Sequence, residues 1–135
     1  MSTDSGDQKH ISQRPLSPHL QVYKLPLAAL ISIGHRATGF ALTCGTLLLL
    51  WLLIAAATGP APYNTFMAFA TSPLGQFMLF GWTLSLYFHL TNGVRHLFGD
   101  MGYLLKIKSA HQSGCLILIA TFLLTAGTWY CALYI

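Results

Sequence analysis

Charge is scarce in this sequence: seven Lys or Arg and three Asp make up only 7% of 135 residues. Water-soluble domains carry about a quarter charged residues, so a surface turned mainly to water is excluded. Too few basic residues are present to coat a solvated face, which excludes a nucleic-acid binder. Cysteine is sparse and odd in number, and Cys44, Cys115 and Cys131 each sit alone in an apolar run. That spacing offers neither a CxxC metal cluster nor a disulfide framework, so the three read as small core or lipid-facing residues. The N-terminus lacks a short apolar core followed by a small-residue cleavage site, so no signal peptide is expected. Asp4 and Asp7 argue equally against an acid-poor transit peptide.

What is abundant is apolar: 54% of the residues are hydrophobic, and most fall into three runs. Each run holds roughly 20 apolar-dominated residues, enough at 1.5 Å per residue to cross a ~30 Å hydrocarbon layer. The expected fold is therefore an all-α membrane protein with three transmembrane helices at 27–57, 73–105 and 115–135. Ser72 suits the N-cap of the second and Pro73 its first position. Residues 1–26, broken by Pro15, Pro18 and Pro26, read as a soluble arm extended around its prolines. Residues 58–72 and 106–114 read as the loops. Basic residues set the orientation. Lys9, Arg14, Lys24 and Arg36 precede or open the first span, Arg95, Lys106 and Lys108 close the second, and residues 58–73 carry no charge. The positive-inside rule then puts the arm and the second loop in the cytoplasm, with 58–72 on the periplasmic side. The start of the first helix and the end of the second share one membrane face.

Polar residues concentrate on two helical faces at that level. Ser32, His35, Arg36 and Gly39 follow i, i+3, i+4, i+7 spacing, and His89, Asn92, Gly93, His96 and Asp100 lie similarly on the second helix. Ionisable groups at membrane depth face a partner, a cavity or a cofactor rather than lipid. Snorkelling to the headgroups is the plain alternative for Arg36, Arg95 and His96. His89 lies roughly 9 Å deeper than Arg95 along the helix, and its plain alternative is a structural histidine bonded to a neighbouring Ser or Thr. A haem iron rewards a neutral imidazole in hydrocarbon and fills the pocket with an apolar ring. Its propionates need cationic or donor partners, and His35, Arg36 and Arg95 lie on the cytoplasmic side of it. Gly93 leaves the helix thin where a flat ring approaches. The third helix has no histidine and His35 reads as shallow, so a second axial ligand is expected from another membrane subunit or a second copy. Ala37, Ala41 and Gly45 form a small-residue row for close helix packing.

Two motifs then resemble a known family. "RPLSPHLQVYKLPLAALISIGHRATGFAL" (14–42) and "HLTNGVRHLFGDMG" (89–102) are similar to the large cytochrome b anchor subunits of succinate dehydrogenase, through RPxSPHLxxY with SIxHRxTG, then HxxxGxRHLxxD. The resemblance implies a haem b-binding anchor that forms a helical bundle with a second small three-helix subunit. It implies an iron–sulphur subunit and a flavoprotein as further partners, and ubiquinone as the electron acceptor. His89 matches the axial haem ligand, His35 and Arg36 the propionate partners, and Ser32 and Arg36 residues beside the quinone headgroup. The proline-rich arm matches the region near the iron–sulphur subunit. Gly99 departs from the pattern, since many relatives carry a bulky residue there. A hydroxyl and a guanidinium one turn apart can donate to a quinone oxygen as negative charge develops on it. Asp100 is a candidate ion-pair partner for Arg36 or a proton relay. The chain itself holds no flavin or iron–sulphur motif, so it does not oxidise succinate alone. The leaderless N-terminus points to a bacterial inner membrane ahead of a mitochondrial one. The rival readings are a fumarate reductase anchor and a haem-free three-helix packing or transport subunit.

Overall fold

The computed structural model describes residues 25–103 and 107–134, with only the backbone described at Ile107, Lys108 and Ala110. The proline-rich arm up to Lys24 and the basic turn around Lys106 lie outside the described residues, as do the expectations placed on them. Four helices run in order: α1 (Leu27–Thr58), α2 (Pro60–Ala70), α3 (Pro73–Asp100) and α4 (Ile107–Tyr134). No strand occurs among the described residues.

Helix α1 starts after Pro26, whose carbonyl accepts from the Ala29 and Leu30 amides at 2.9 and 3.2 Å. It stops at Gly59, where φ is +132°, a backbone state that side chains resist. The stretch expected as a plain loop then forms the 11-residue helix α2. Pro60 and Pro62 read as breakers in the sequence, yet both fall in the first turn, where the amide hydrogens have no helical partner to lose. Helix α2 folds back on α1 by placing Phe66 and Phe69 each 5.1 Å from the Trp51 ring. At about 16 Å it is too short to cross a bilayer.

Ser72 caps α3 as the sequence suggests, its hydroxyl accepting from the Gly75 amide at 3.1 Å, with Pro73 following. The α2–α3 corner is tight: a Cβ built on Gly75 would collide with the Phe69 carbonyl. Helix α3 ends at Asp100 rather than near residue 105. Gly102 takes φ +85° there, and the Tyr103 amide donates back to the Phe98 carbonyl at 3.1 Å. Helix α4 begins at Ile107 rather than at Cys115, because a helix continues through polar residues after the apolar layer has ended.

Helices α1, α3 and α4 alternate in direction. The start of α1 meets the end of α3, since His35 packs on His89 while Gly45, further along α1, packs on Trp82. Helix α4 runs back along α3 through three side-chain pairs: Arg95 with Ser113 (2.9 Å), Thr91 with Thr121 (3.1 Å) and Tyr87 with Thr128 (2.6 Å). Gly114 of α4 closes the bundle against Leu27 and Ile31 of α1.

Burial is inverted relative to a water-soluble bundle. Asn92, Thr121 and Thr125 are buried, whereas Phe40, Phe77 and Phe122 are each about 70% exposed. Such a surface suits lipid, which lets interhelical hydroxyl and amide contacts hold helices together. Helices α1 and α4 are long and apolar enough to cross a membrane. Helix α3 has the length, at 28 residues, but carries the polar face of the molecule.

The corner geometry yields a test. Gly75→Ala should lower the thermal midpoint of the purified assembly, a loss of about 1–3 kcal/mol. Gly81→Ala, whose Cβ meets open space in this chain, should leave it unchanged or raise it by up to ~1 kcal/mol. Equal midpoints in a circular-dichroism melt would show that the corner is not close-packed.

Candidate functional site

The site lies where α1 and α3 cross. His35 is eight residues into α1 and His89 eleven before the end of α3, insets of roughly 12 and 16 Å. Those similar insets, on antiparallel helices, bring the two rings to one level. They stack with centroids 3.9 Å apart and planes 9° from parallel. The expectation that His35 is shallow beside a deep His89 is corrected by this contact. His96, one heptad nearer the end of α3, has its ring 5.3 Å from that of His35.

Hydrogen bonding sets the tautomer of His89. Its Nδ1 lies 3.2 Å from the His35 carbonyl oxygen and 3.4 Å from Thr38 Oγ1. A carbonyl only accepts, so Nδ1 carries the proton. The Thr38 hydroxyl donates to the Gly34 and His35 carbonyls at 2.9 and 3.0 Å, which leaves its oxygen as a second acceptor. With Nδ1–H engaged, the neutral ring presents the lone pair of Nε2. That is the arrangement by which a backbone carbonyl orients a metal-binding histidine. The structural alternative, a histidine held by a threonine, is thus realised at one nitrogen and leaves the other for a ligand. Thr38, the threonine of the SIxHRxTG motif, was given no role from the sequence, although it lies one turn beyond His35 on the same face.

Two glycines shape the space around this ring. A Cβ on Gly39 would lie 3.2 Å from His89 Cε1, so α1 can approach this closely only without a side chain there. Gly93 meets open space, which keeps that flank of α3 thin. Two turns from His89 along α3, Trp82 lines an apolar groove of about 390 Å³ with Phe40, Cys44, Gly45, Met78 and Ser85. The indole Nε1 of Trp82 is buried without a partner, as are Nδ1 of His35 and Nδ2 of Asn92.

The remaining predicted residues divide into two groups. Ser32 and Arg36 are exposed on α1 and bond to no other described residue. Asp100, exposed at the end of α3, forms no ion pair with Arg36, so the pairing expected from shared depth is absent. Arg95 turns toward α4, its Nε donating to Ser113 Oγ at 2.9 Å and its Nη1 lying 3.5 Å from Asn92 Oδ1. Ser113 carried no signal in the sequence, because a lone hydroxyl at the start of a span looks like any interfacial residue.

Among the described residues, no three His, Cys, Asp or Glu side chains converge on a point that would hold a bare metal ion. A cofactor that brings most of its metal's ligands with it asks little of the chain, and His89 Nε2 would be the donor for one. The three cysteines are exposed and form no disulfide, so none is a core residue of this chain.

Comparison with known proteins follows the same lines. A family model described as succinate dehydrogenase/fumarate reductase transmembrane subunit matches residues 10–128. The chain is 46% identical to the succinate dehydrogenase cytochrome b556 subunit of Paracoccus denitrificans over 115 residues, covering 85% of this chain and 88% of that one. It is 36% identical to the subunit of the same name from Rickettsia felis over 122 residues, covering 90% and 95%. With the mitochondrial succinate dehydrogenase cytochrome b560 subunit of Bos taurus it shares 37% identity over 119 residues, covering 84% and 69%.

Proposed function

The chain belongs to the succinate dehydrogenase/fumarate reductase transmembrane subunit family, and from that premise we propose that it is the haem b-binding membrane anchor of a succinate:quinone oxidoreductase. The observation that carries this reading is the engaged Nδ1–H of His89, which aims an unprotonated Nε2 away from the His35 carbonyl.

In this reading α1, α3 and α4 are the three spans, at 27–58, 73–100 and 107–134. The arm and the α3–α4 turn face the cytoplasm by the basic-residue rule. Helix α2 lies on the opposite surface. The membrane is a bacterial inner membrane, ahead of the mitochondrial one, since the chain is 46% identical to the Paracoccus subunit against 37% for the bovine one. A second small anchor would hold the same cofactor from its other side, and a flavoprotein and an iron–sulphur subunit dock on the cytoplasmic side. Succinate is oxidised in those soluble subunits, not in this chain.

His89 is the residue that would hold haem iron. The groove past Trp82 and the open flank at Gly93 fit an apolar macrocycle, and the partner anchor would close them. When bound, haem supplies a one-electron store between the iron–sulphur subunit and the membrane. His35 and Arg36 are the residues for its propionates. Arg95, turned toward α4 and away from the α1–α3 crossing, leaves that expected role to them. Ser32 and Arg36, exposed one turn apart, form the quinone-facing edge. The hydroxyl and the guanidinium donate to one carbonyl oxygen of ubiquinone as it gains charge, which holds the headgroup and favours reduction. Asp100 stands at the cytoplasmic end of the same face as His89 and His96, suited to passing protons inward.

A fumarate reductase anchor is the second reading, because the matching family model spans both activities. The named relatives above are all succinate dehydrogenase subunits, which favours the first.

Three measurements test the proposal. In a dithionite-minus-oxidised spectrum of the purified complex, the b-type α band should vanish in His89→Leu and persist in His96→Leu; the reverse pattern moves the ligand to His96. Arg36→Leu should lower succinate-to-quinone turnover by at least about tenfold while succinate oxidation by a soluble dye continues. Full quinone turnover would remove Arg36 from the site. Asp100→Asn should slow quinone reduction, most steeply at high pH where protons are scarce. An unchanged pH profile would remove the relay.

A further inference from the structure

On the side of α3 turned away from His89, a groove opens between α3 and α4. Its wider part, about 520 Å³, is lined by Val94, Arg95, Phe98, Tyr103, Ser113 and Leu116. It continues along the helices as a second space of about 350 Å³ that shares Val94 and Leu116 and passes Leu90 and Ala120. The polar groups collect at one end: the Arg95 guanidinium, the Ser113 hydroxyl and the Tyr103 phenol. Beyond them the walls are apolar except for Thr91, whose hydroxyl is taken up by the Tyr87 carbonyl and Thr121. That division is the outline of an amphiphile with its head at the end of α3 and a chain running toward the bilayer middle.

We propose that this groove holds one anionic phospholipid of the cytoplasmic leaflet, its phosphate at Arg95 and an acyl chain along Val94, Leu116 and Leu90. The lipid exposure of the groove rests on the three-span reading above. The angular position of the groove selects a lipid over a partner helix. At about 100° per residue, Thr91, Val94 and Phe98 lie about 140 to 200° round α3 from His89. A second anchor that reaches the iron site therefore packs on another flank, and this one stays open to the bilayer. Charge selects the headgroup, since a guanidinium with a hydroxyl beside it suits a phosphate oxygen. Tyrosine at the mouth matches the headgroup level of a membrane. The wall residues Val94 and Leu116 are 44% and 65% exposed, so lipid or a larger side chain can cover them without disturbing the bundle.

The test uses the intact complex, delipidated in mild neutral detergent and titrated with phosphatidylglycerol or phosphatidylcholine, with bound lipid counted by native mass spectrometry. The wild type should retain one phosphatidylglycerol about fivefold more strongly than phosphatidylcholine, the size expected for one cation against an anionic headgroup. Val94→Trp and Leu116→Trp should each lose that lipid, while their reduced b-type spectrum stays as in the wild type. Arg95→Gln should keep an occupant and lose the preference. Wild-type phosphatidylglycerol binding in both tryptophan variants, or equal affinity of the wild type for the two lipids, overturns the proposal. A missing haem band in the wild type would sink the functional reading and leave the lipid count standing on its own.

Discussion

One hydrogen bond organises the site: His89 Nδ1 against the His35 carbonyl, across the α1–α3 crossing. It fixes which nitrogen of His89 carries the proton, and so which one can meet a metal. It also needs the two helix backbones close together, and Gly39 permits that by having no Cβ to press on the ring. The stacking of His35 on His89 is a consequence of the same approach. Remove the closeness and the tautomer, the ring orientation and the stack go together. In a low-dielectric surrounding the bond also matters more than it would in water, because an unmet imidazole N–H has no solvent to turn to.

The second organising contact set lies on the other flank of α3. Tyr87, Thr91 and Arg95 each reach a hydroxyl on α4, at three levels of the bundle. Such contacts in lipid average only about 0.6 kcal/mol each. Their value is in register more than in strength, since a slide of α4 by one turn would break all three at once. Helix α3 is thus held on one side by a histidine site and on the other by a hydroxyl ladder. This explains why its sequence is the least apolar of the long helices. Directional contacts on both flanks need polar side chains set among the apolar ones.

The long helices were legible in the sequence because each coincides with an apolar-dominated run of about 20 residues, the length that lipid asks of a crossing, and α1 and α4 are long and apolar enough to make one. Site residues were legible for the opposite reason: in a segment where charge is expensive, His89 and Arg36 stand out. The errors lie where these signals are silent. Helix α2 is too short for the apolar-length test, and its prolines look like breaks until one sees that both occupy the first turn. The ends of α3 and α4 depend on a positive-φ Gly102 and on backbone continuity, neither of which hydropathy reports. Arg95 was grouped with the propionate partners on depth alone. Depth along a helix says nothing about direction round it, and Ser113, which decides that direction, had no distinguishing neighbour. Thr38 stood in the SIxHRxTG motif without a role, because it contacts His89 across a gap of 51 positions that periodicity on one helix cannot bridge.

The unpartnered polar atoms indicate what the chain lacks by itself. Nδ1 of His35, Nε1 of Trp82 and Nδ2 of Asn92 are buried without a hydrogen bond. In a low-dielectric medium each costs on the order of 1–3 kcal/mol while it stays unmet. A helical membrane protein keeps such groups when something else supplies their partners, because replacing them with apolar residues would otherwise be favourable. Trp82 lies in an apolar groove two turns along α3 from His89, and His35 stacks on the His89 ring itself. Asn92 lies one turn further on, its carbonyl end near Arg95 and its amide end unmet. The unmet atoms therefore border the level where the cofactor and the second anchor are proposed to dock.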